Sequence, residues 1–185
     1  MKSTDELRRD HRVIQGVLAA LEGLVQAARR GAPPDAPSLR QALEFSRTFI
    51  DACHHRKEER CLFPCLERRG IPREGGPIGV MLAEHQQGRE LVQRITAALD
   101  AFATTGMGVE GILALCEQYI SLLRQHIFKE DNILFAMGDA VLTPADDGGT
   151  EACYQGAEAD LPAGTHQSME RLATDLQARY PTLTP

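Results

Sequence analysis

The 185-residue sequence lacks any apolar run approaching the roughly 20 residues that a helix needs to cross a bilayer. Its amino terminus, MKSTDELRRDH, lacks the apolar stretch of a secretory signal. A basic excess is also missing, since the net charge is −6 and the lysines and arginines are interleaved with acidic residues. We therefore expect a cytoplasmic protein with no membrane partner. We expect no nucleic-acid partner either, because a phosphate backbone is bound by a basic surface.

Cysteine pairs with CxxC spacing are absent as well. The five cysteines, an odd number, are Cys53, Cys61, Cys65, Cys116 and Cys153. An odd number without paired spacing does not match a disulfide framework, and a cytoplasmic protein normally keeps its thiols reduced. The sequence therefore predicts reduced cysteines that are buried as small apolar side chains.

Alternating strand-like runs are also absent, whereas helical periodicity extends to about residue 137. Short stretches rich in Gly and Pro divide this part of the chain into four long segments, each with one apolar face. Short connections favour antiparallel packing of neighbouring helices. The sequence therefore predicts an all-α protein, in which residues 1–137 form an antiparallel up-down-up-down four-helix bundle.

Local signals predict where some of these elements begin and end. The run STDE at residues 3–6 matches a capping box and predicts the start of the first helix, and Pro64 predicts a kink in the second. Residues 138–164 are rich in Gly, Pro, Asp and Ala without an apolar period, which predicts a loop. A short helix capped by Thr165 should follow, so that residues 138–185 form a loop and a short C-terminal helix packed on the bundle.

Histidine is scarce, yet each of the four predicted helices carries one on its apolar face. These inward-facing histidines are His11, His54, His85 and His126. Glu58 and Glu130 stand four residues after two of them, at the spacing that lets both side chains of a helix reach one ion. With a rise of 1.5 Å per residue, all four histidines lie roughly 12 to 22 Å from the same end of an antiparallel bundle. We expect them to meet at one level.

Two buried carboxylates beside four imidazoles are costly unless a cation compensates their charge. A single inward histidine is usually a hydrogen-bonded core residue, and a single HxxxE is usually an ion pair. Four such histidines and two glutamates at one level are harder to explain in this way, and they indicate a metal site. Mixed imidazole and carboxylate ligands suit iron, and zinc or manganese could replace it.

The segments DHRVI, CHHRKEERCLFPCLE, MLAEHQQGR and HIFKEDNILF resemble those of the hemerythrin-like, or HHE cation-binding, family of four-helix di-iron proteins. The resemblance covers residues 7–137. It implies that Glu58 and Glu130 bridge two iron ions and that the four histidines cap them.

One departure from the respiratory members of that family concerns the third helix. Those proteins carry two histidines four residues apart there, whereas Met81 and Arg89 stand four residues from His85 in this sequence. Two neighbouring groups could supply the missing ligand. They are His55, which follows His54 at the flank of the inward seam, and Glu84, which precedes His85; water is the third alternative.

The resemblance implies a non-haem di-iron protein that binds or senses O2, NO or peroxide. A second hypothesis is a di-iron peroxidase or oxidase, with Tyr119 as an inner redox-active side chain on the face of His126. A third is a metal-stabilised interaction module. A sensor would need a protein partner for its output, because the sequence contains no signalling domain. We expect His166 to be solvated and outside the site.

Overall fold

The computed structural model describes residues 1–181, which form six helices and no strand. The all-α prediction is confirmed. The helices are α1 (Lys2–Arg29), α2 (residues 36–68), α3 (Pro77–Thr105), α4 (residues 109–141), α5 (Pro144–Ala159) and α6 (Thr165–Arg179). Among these described residues, no helix has both the length and the apolar character required to cross a membrane.

Helices α2 and α4 contain π-helical turns. These turns are Ser46–His55 and Glu58–Leu62 in α2, and Glu130–Leu134 in α4. A π turn bonds residue i to residue i+5, so each residue turns the chain by less than it does in an α-helix. Pro64, where the sequence predicted a kink, lies just beyond the second π segment, at the start of the α-helical stretch Phe63–Arg68. The kink at Pro64 stays a prediction.

Two apolar clusters fill the interior. The larger includes Ile14 and Ile95, and the smaller includes Leu7 and Met81. The predicted metal ligands stand where the two clusters meet on each of the first four helices. The smaller cluster comes first along α1 and α3, and the larger comes first along α2 and α4. Burial of one such aliphatic side chain contributes about 1.5–3 kcal/mol to the stability of the fold. The two clusters therefore fix the positions of the four helices along one another.

The loop predicted at residues 138–164 is wrong over most of its length, because α5 occupies Pro144–Ala159. Thr143 begins this helix with a capping box. Its side chain accepts the N–H of Asp146, and the carboxylate of Asp146 accepts the N–H of Thr143. Tyr154 anchors the helix in the smaller apolar cluster. The C-terminal part of the chain therefore contains two helices.

Helices α5 and α6 pack against α1 and α2. The helix predicted to follow Thr165 is present as α6, and it adds Met169, Ala173 and Leu176 to the larger cluster. The division into two parts at residue 137 stays a prediction, and α4 crosses that position to end at Val141.

The capping box predicted at residues 3–6 is wrong. Helix α1 begins at Lys2, and the side chains of Ser3 and Thr4 do not cap it. Helix α5 supplies the cap instead. The carboxylate of Asp147 accepts the N–H groups of Lys2 and Ser3 at 3.1 and 3.0 Å, and it accepts the Ser3 hydroxyl at 2.6 Å. A carboxylate at a helix N-terminus is also favoured by the helix dipole.

We expect Asp147→Ala to lower the free energy of unfolding by about 1–3 kcal/mol. The substitution leaves two N–H groups and a hydroxyl without an acceptor, and Asp147 is only 8% exposed, so water cannot replace it fully. Urea unfolding followed by circular dichroism measures the change. Asp175→Ala, at an exposed position on α6, is the matched control and should change stability by less than about 0.5 kcal/mol. Equal losses in the two variants would contradict a capping role for Asp147.

Candidate metal centre

The seven side chains predicted as metal ligands lie together in the interior. Helix α1 supplies one, α2 three, α3 one and α4 two, and each residue is at most 3% exposed. They are His11, His54, His55, Glu58, His85, His126 and Glu130. Sequence reasoning therefore identified side chains that the fold brings together. Their coordination of a metal stays a prediction.

The seven side chains form two sets, and the donor atoms within each set lie within 4.8 Å of one another. The first set is His11, His54, Glu58 and Glu130. The second set is His55, Glu58, His85 and His126. Because Glu58 belongs to both, its carboxylate is placed to bridge two ions. Glu130 belongs to the first set, and its Oε1 is also 3.9 Å from the Nε2 of His85 in the second, so the pair of bridges that the resemblance implied stays a prediction.

In each set, two histidine rings point their Nε2 atoms at each other. The Nε2 atoms of His11 and His54 are 3.0 Å apart, and those of His85 and His126 are 3.2 Å apart.

A carboxylate stands at the other ring nitrogen of each of these four histidines. The distances from Nδ1 are 2.8 Å for His11 to Asp131, 3.4 Å for His54 to Asp10, 2.7 Å for His85 to Glu59 and 3.0 Å for His126 to Glu84. Such partners favour the tautomer with the proton on Nδ1, as they do for metal-binding histidines. The Nε2 lone pairs then converge, an arrangement that a cation stabilises.

The four carboxylates share one sequence feature: each stands next to a predicted ligand on its own helix and contacts the histidine of another. Asp10 precedes His11, Glu59 follows Glu58, Glu84 precedes His85 and Asp131 follows Glu130. The contacts run from α1 to α2, α2 to α3, α3 to α4 and α4 to α1, in a closed ring. Sequence reasoning missed three of these residues and treated Glu84 only as a candidate ligand. The acid beside each ligand was the signal that could have found them.

His55 differs from the other four histidines of the site. Its ring stacks on that of His85, with centroids 3.7 Å apart, and its buried Nδ1 has no hydrogen-bond partner. The nearest carboxylate, that of Asp51, is 3.6 Å away. Burial lowers the pKa of His55 well below its ordinary value, so the ring is neutral at pH 7, which is the form that binds metals. Glu84, the alternative ligand, instead accepts from His126 and lies outside both sets.

The two buried glutamates have unlike environments. Neither carboxylate has a hydrogen-bond partner of good geometry, although imidazole nitrogens lie 3.2 to 3.5 Å away. Burial and the charge of Glu130 raise the pKa of Glu58 well above its ordinary value. For Glu130, burial acts in the same direction, but the charges of His126 and His11 hold its pKa well below the ordinary value. A divalent cation would compensate both carboxylates and satisfy their oxygen atoms.

A buried ion cluster lies behind the first ligand set. The ammonium of Lys57, which is 1% exposed, is 2.9 Å from Glu6, 3.5 Å from Asp10 and 2.6 Å from Glu158. His166 is 3.5 Å from Asp10 and only 30% exposed, so the expectation that it is solvated is wrong, although it lies outside both ligand sets. His166 of α6 therefore contacts Asp10, the carboxylate beside His54, directly. Glu158 of α5 is linked to Asp10 through Lys57.

The prediction of five reduced cysteines is wrong for two of them. Cys61 and Cys153 form a disulfide whose Cα atoms are 5.8 Å apart. The remaining cysteines, all free and buried, are Cys53, Cys65 and Cys116. The disulfide joins α5 to α2 three residues after Glu58. Its partners are 92 residues apart in sequence, and one of them lay in the predicted loop, so spacing alone gave no signal.

A helical bundle with two buried groups of histidine and glutamate side chains is the architecture of a metal-binding protein. The chain belongs to the hemerythrin HHE cation-binding family, since the model described as "Hemerythrin HHE cation binding domain" matches residues 2–138. The resemblance predicted from the sequence is confirmed. Helices α5 and α6 lie beyond the matched residues.

Two relatives show the range of similarity. The "Iron-sulfur cluster repair protein YtfE" of Edwardsiella ictaluri is 36% identical over 120 residues, covering 62% of this chain and 52% of the relative. An uncharacterized protein of Mycobacterium tuberculosis is 29% identical over 132 residues, covering 71% of this chain and 51% of the relative. The chain thus spans about half the length of these curated relatives. No solved structure is significantly similar to it.

Proposed function

We propose that the protein is a non-haem di-iron protein that binds or senses O2, NO or peroxide. The observation that supports this most directly is the pair of buried donor sets that share Glu58. Each set mixes imidazole with carboxylate groups, a combination that suits iron and that zinc or manganese can also occupy. The Edwardsiella relative is named for the repair of iron-sulfur clusters, which is consistent with an iron site.

In this proposal the helices α1 to α4 run up-down-up-down. The order of the two apolar clusters, which reverses from each helix to the next, supports that topology. The closed ring of carboxylate contacts supports it too, because it makes each helix the neighbour of the next. We further propose the cytoplasm as the location and a protein partner for any signalling output.

The side chains of the proposed centre have different roles. Glu58, which belongs to both sets, and Glu130, whose Oε1 is 3.9 Å from the Nε2 of His85, would hold the two ions together with the histidines. The ring of outer carboxylates fixes the histidine tautomers. Bound iron would supply redox and Lewis-acid chemistry toward O2, NO or peroxide.

The twin histidines test this assignment, because they belong to different sets. We expect His54→Ala and His55→Ala each to lower the bound iron from two ions to about one per chain. Glu58→Ala should lose both ions, since its carboxylate serves both sets. Anaerobic reconstitution, removal of excess iron and metal analysis give the stoichiometry. His166→Ala removes a histidine outside both sets and should keep two ions.

Several outcomes would contradict parts of the proposal. Two irons held by His55→Ala with unchanged affinity would show that His55 is not a ligand. A wild-type chain that binds one zinc ion and takes up no iron would contradict the di-iron assignment and favour a metal-stabilised interaction module. Repeated turnover of peroxide by the iron-loaded protein with a reductant would instead identify a peroxidase.

A further inference from the structure

A cavity of about 300 Å³ lies beside His55, among helices α2, α3 and α4. Its lining runs from the exposed side chains of Arg47 and Gln93 to the buried ring of His55. Ile50 and Val92 are among the apolar side chains of its wall. The cavity therefore connects the protein surface with one of the two ligand sets.

The cavity is much larger than the ligands so far considered. A water molecule occupies about 30 Å³ of liquid, and O2, NO and hydrogen peroxide are only slightly larger. The cavity volume is instead at the lower end of the range typical of pockets for organic ligands, about 300–1,000 Å³. The space thus fits a compact organic molecule of about ten non-hydrogen atoms.

Gly88 of α3 helps to keep this space open. A Cβ atom added there would meet nothing closer than 3.9 Å, where it would touch Leu123 and Tyr119. Neither a close neighbour nor a left-handed backbone requires glycine at this position. Glycine in the interior of a helix lowers the stability of that helix. Packing around position 88 does not explain why this loss of stability is tolerated there. The space that a side chain at position 88 would fill therefore belongs to the cavity.

The polar groups of the cavity suit a neutral ligand with one polar end. The charged side chains of Arg89 and Asp51 pair with each other at 2.7 Å, and Arg89 also pairs with Glu59. At the inner end, the buried Nδ1 of His55 has no hydrogen-bond partner. Burial raises the pKa of Tyr119, so its hydroxyl stays protonated beside the cavity.

We propose that this cavity binds an organic hydroperoxide, with its apolar body against Ile50, Val92 and Leu123 and its oxygen-bearing end at His55. A hydroperoxide both donates and accepts a hydrogen bond, so its oxygen-bearing end suits the imidazole ring that lines the inner end of the cavity. The inference rests on the proposed function, because it specifies which peroxide reaches that site. In the reaction, one hydroperoxide would take two electrons from the di-ferrous site and two protons, and would leave as an alcohol and water.

Binding can be tested without any reaction by using 2-phenylpropan-2-ol, the alcohol analogue of cumene hydroperoxide. We expect the 185-residue chain, as purified, to bind it with a Kd of roughly 0.1–1 mM, measured by saturation-transfer NMR. Gly88→Leu should weaken binding by at least about tenfold, because the new side chain fills the cavity. Gly88→Ala, which should fold without strain, should give a smaller loss in the same direction.

Gly111→Leu is the matched control. Gly111 is an exposed glycine in α4 with open space around it, so the variant should keep the wild-type affinity. Absence of binding to the wild type, or equal binding to Gly88→Leu, would overturn the proposal. So would equal binding of cumene, which lacks the oxygen-bearing end.

Two further measurements separate this proposal from the di-iron assignment. Gly88→Leu loaded with iron should keep two ions per chain and react with hydrogen peroxide at the wild-type rate, while cumene hydroperoxide oxidises its di-ferrous form several-fold more slowly. Equal slowing of both oxidants would overturn the cavity's role in selecting the peroxide. A chain that binds the alcohol but takes up no iron would refute the proposed function and the hydroperoxide together, while the binding site itself would stand.

Discussion

Removal of the bound metal should lower the melting temperature by roughly 8–16 °C. An ion present at about a thousand times its Kd stabilises the native state by about 4 kcal/mol, and each kcal/mol corresponds to about 2–4 °C in a chain of this size. Thermal unfolding followed by circular dichroism, with iron-loaded and chelator-treated samples, measures the shift.

The buried carboxylates give this expectation its structural basis. Without a cation, the oxygen atoms of Glu58 and Glu130 are buried and lack hydrogen-bond partners. A double variant, Glu58→Met with Glu130→Met, removes both carboxylates and most of the metal affinity. It should melt at the same temperature with and without chelator, and above the metal-free wild type, because apolar side chains of similar volume replace uncompensated polar groups. If the melting temperature of the iron-loaded wild type were the same with and without chelator, the centre would not be stabilised by metal.

The level of the four histidines along the bundle was predictable because it depends only on their positions within each helix. On each of the first four helices, a histidine stands three or four residues from apolar side chains, and this step fixes its face of the helix. The 1.5 Å rise then fixes its level. Only a general rule about short connections was needed to bring His11, His54, His85 and His126 together.

The inward placement of His55 was harder to predict. In an α-helix, adjacent residues are about 100° apart, so His55 lies at the flank of the seam that carries His54. The segment Ser46–His55 is π-helical in the structure, which reduces that rotation and lets both rings face the centre. The sequence analysis assumed the α-helical rotation throughout, so it placed His55 at the flank.

Helix α5 was missed for a related reason. Its sequence contains Gly148, Gly149 and Gly156, and glycine has a low helix propensity. The helix is held by contacts with distant segments: Asp147 caps α1, Glu158 pairs with Lys57, and a disulfide joins it to α2. Tertiary contacts of this kind override local propensity, and a single sequence does not reveal them.

Loss of the Cys61–Cys153 disulfide should lower the free energy of unfolding by about 4 kcal/mol. The bond closes a loop between cysteines 92 residues apart. Without it, the conformational entropy of the unfolded chain is larger, which favours unfolding. We expect Cys153→Ser to melt roughly 8–16 °C below the wild type. Iron stoichiometry should be unchanged, because neither cysteine belongs to a donor set and α5 keeps its contacts through Asp147 and Glu158.

Reductant provides the internal control for this last prediction. It should lower the melting temperature of the wild type to that of Cys153→Ser and leave the variant unchanged. The state of the bond is read by intact mass after alkylation of the denatured, unreduced protein, where we expect three alkyl groups, one for each free cysteine. Five groups would show the dithiol form, as a reducing cytoplasm would favour. An equal response of wild type and variant to reductant would show that the stabilisation has another source.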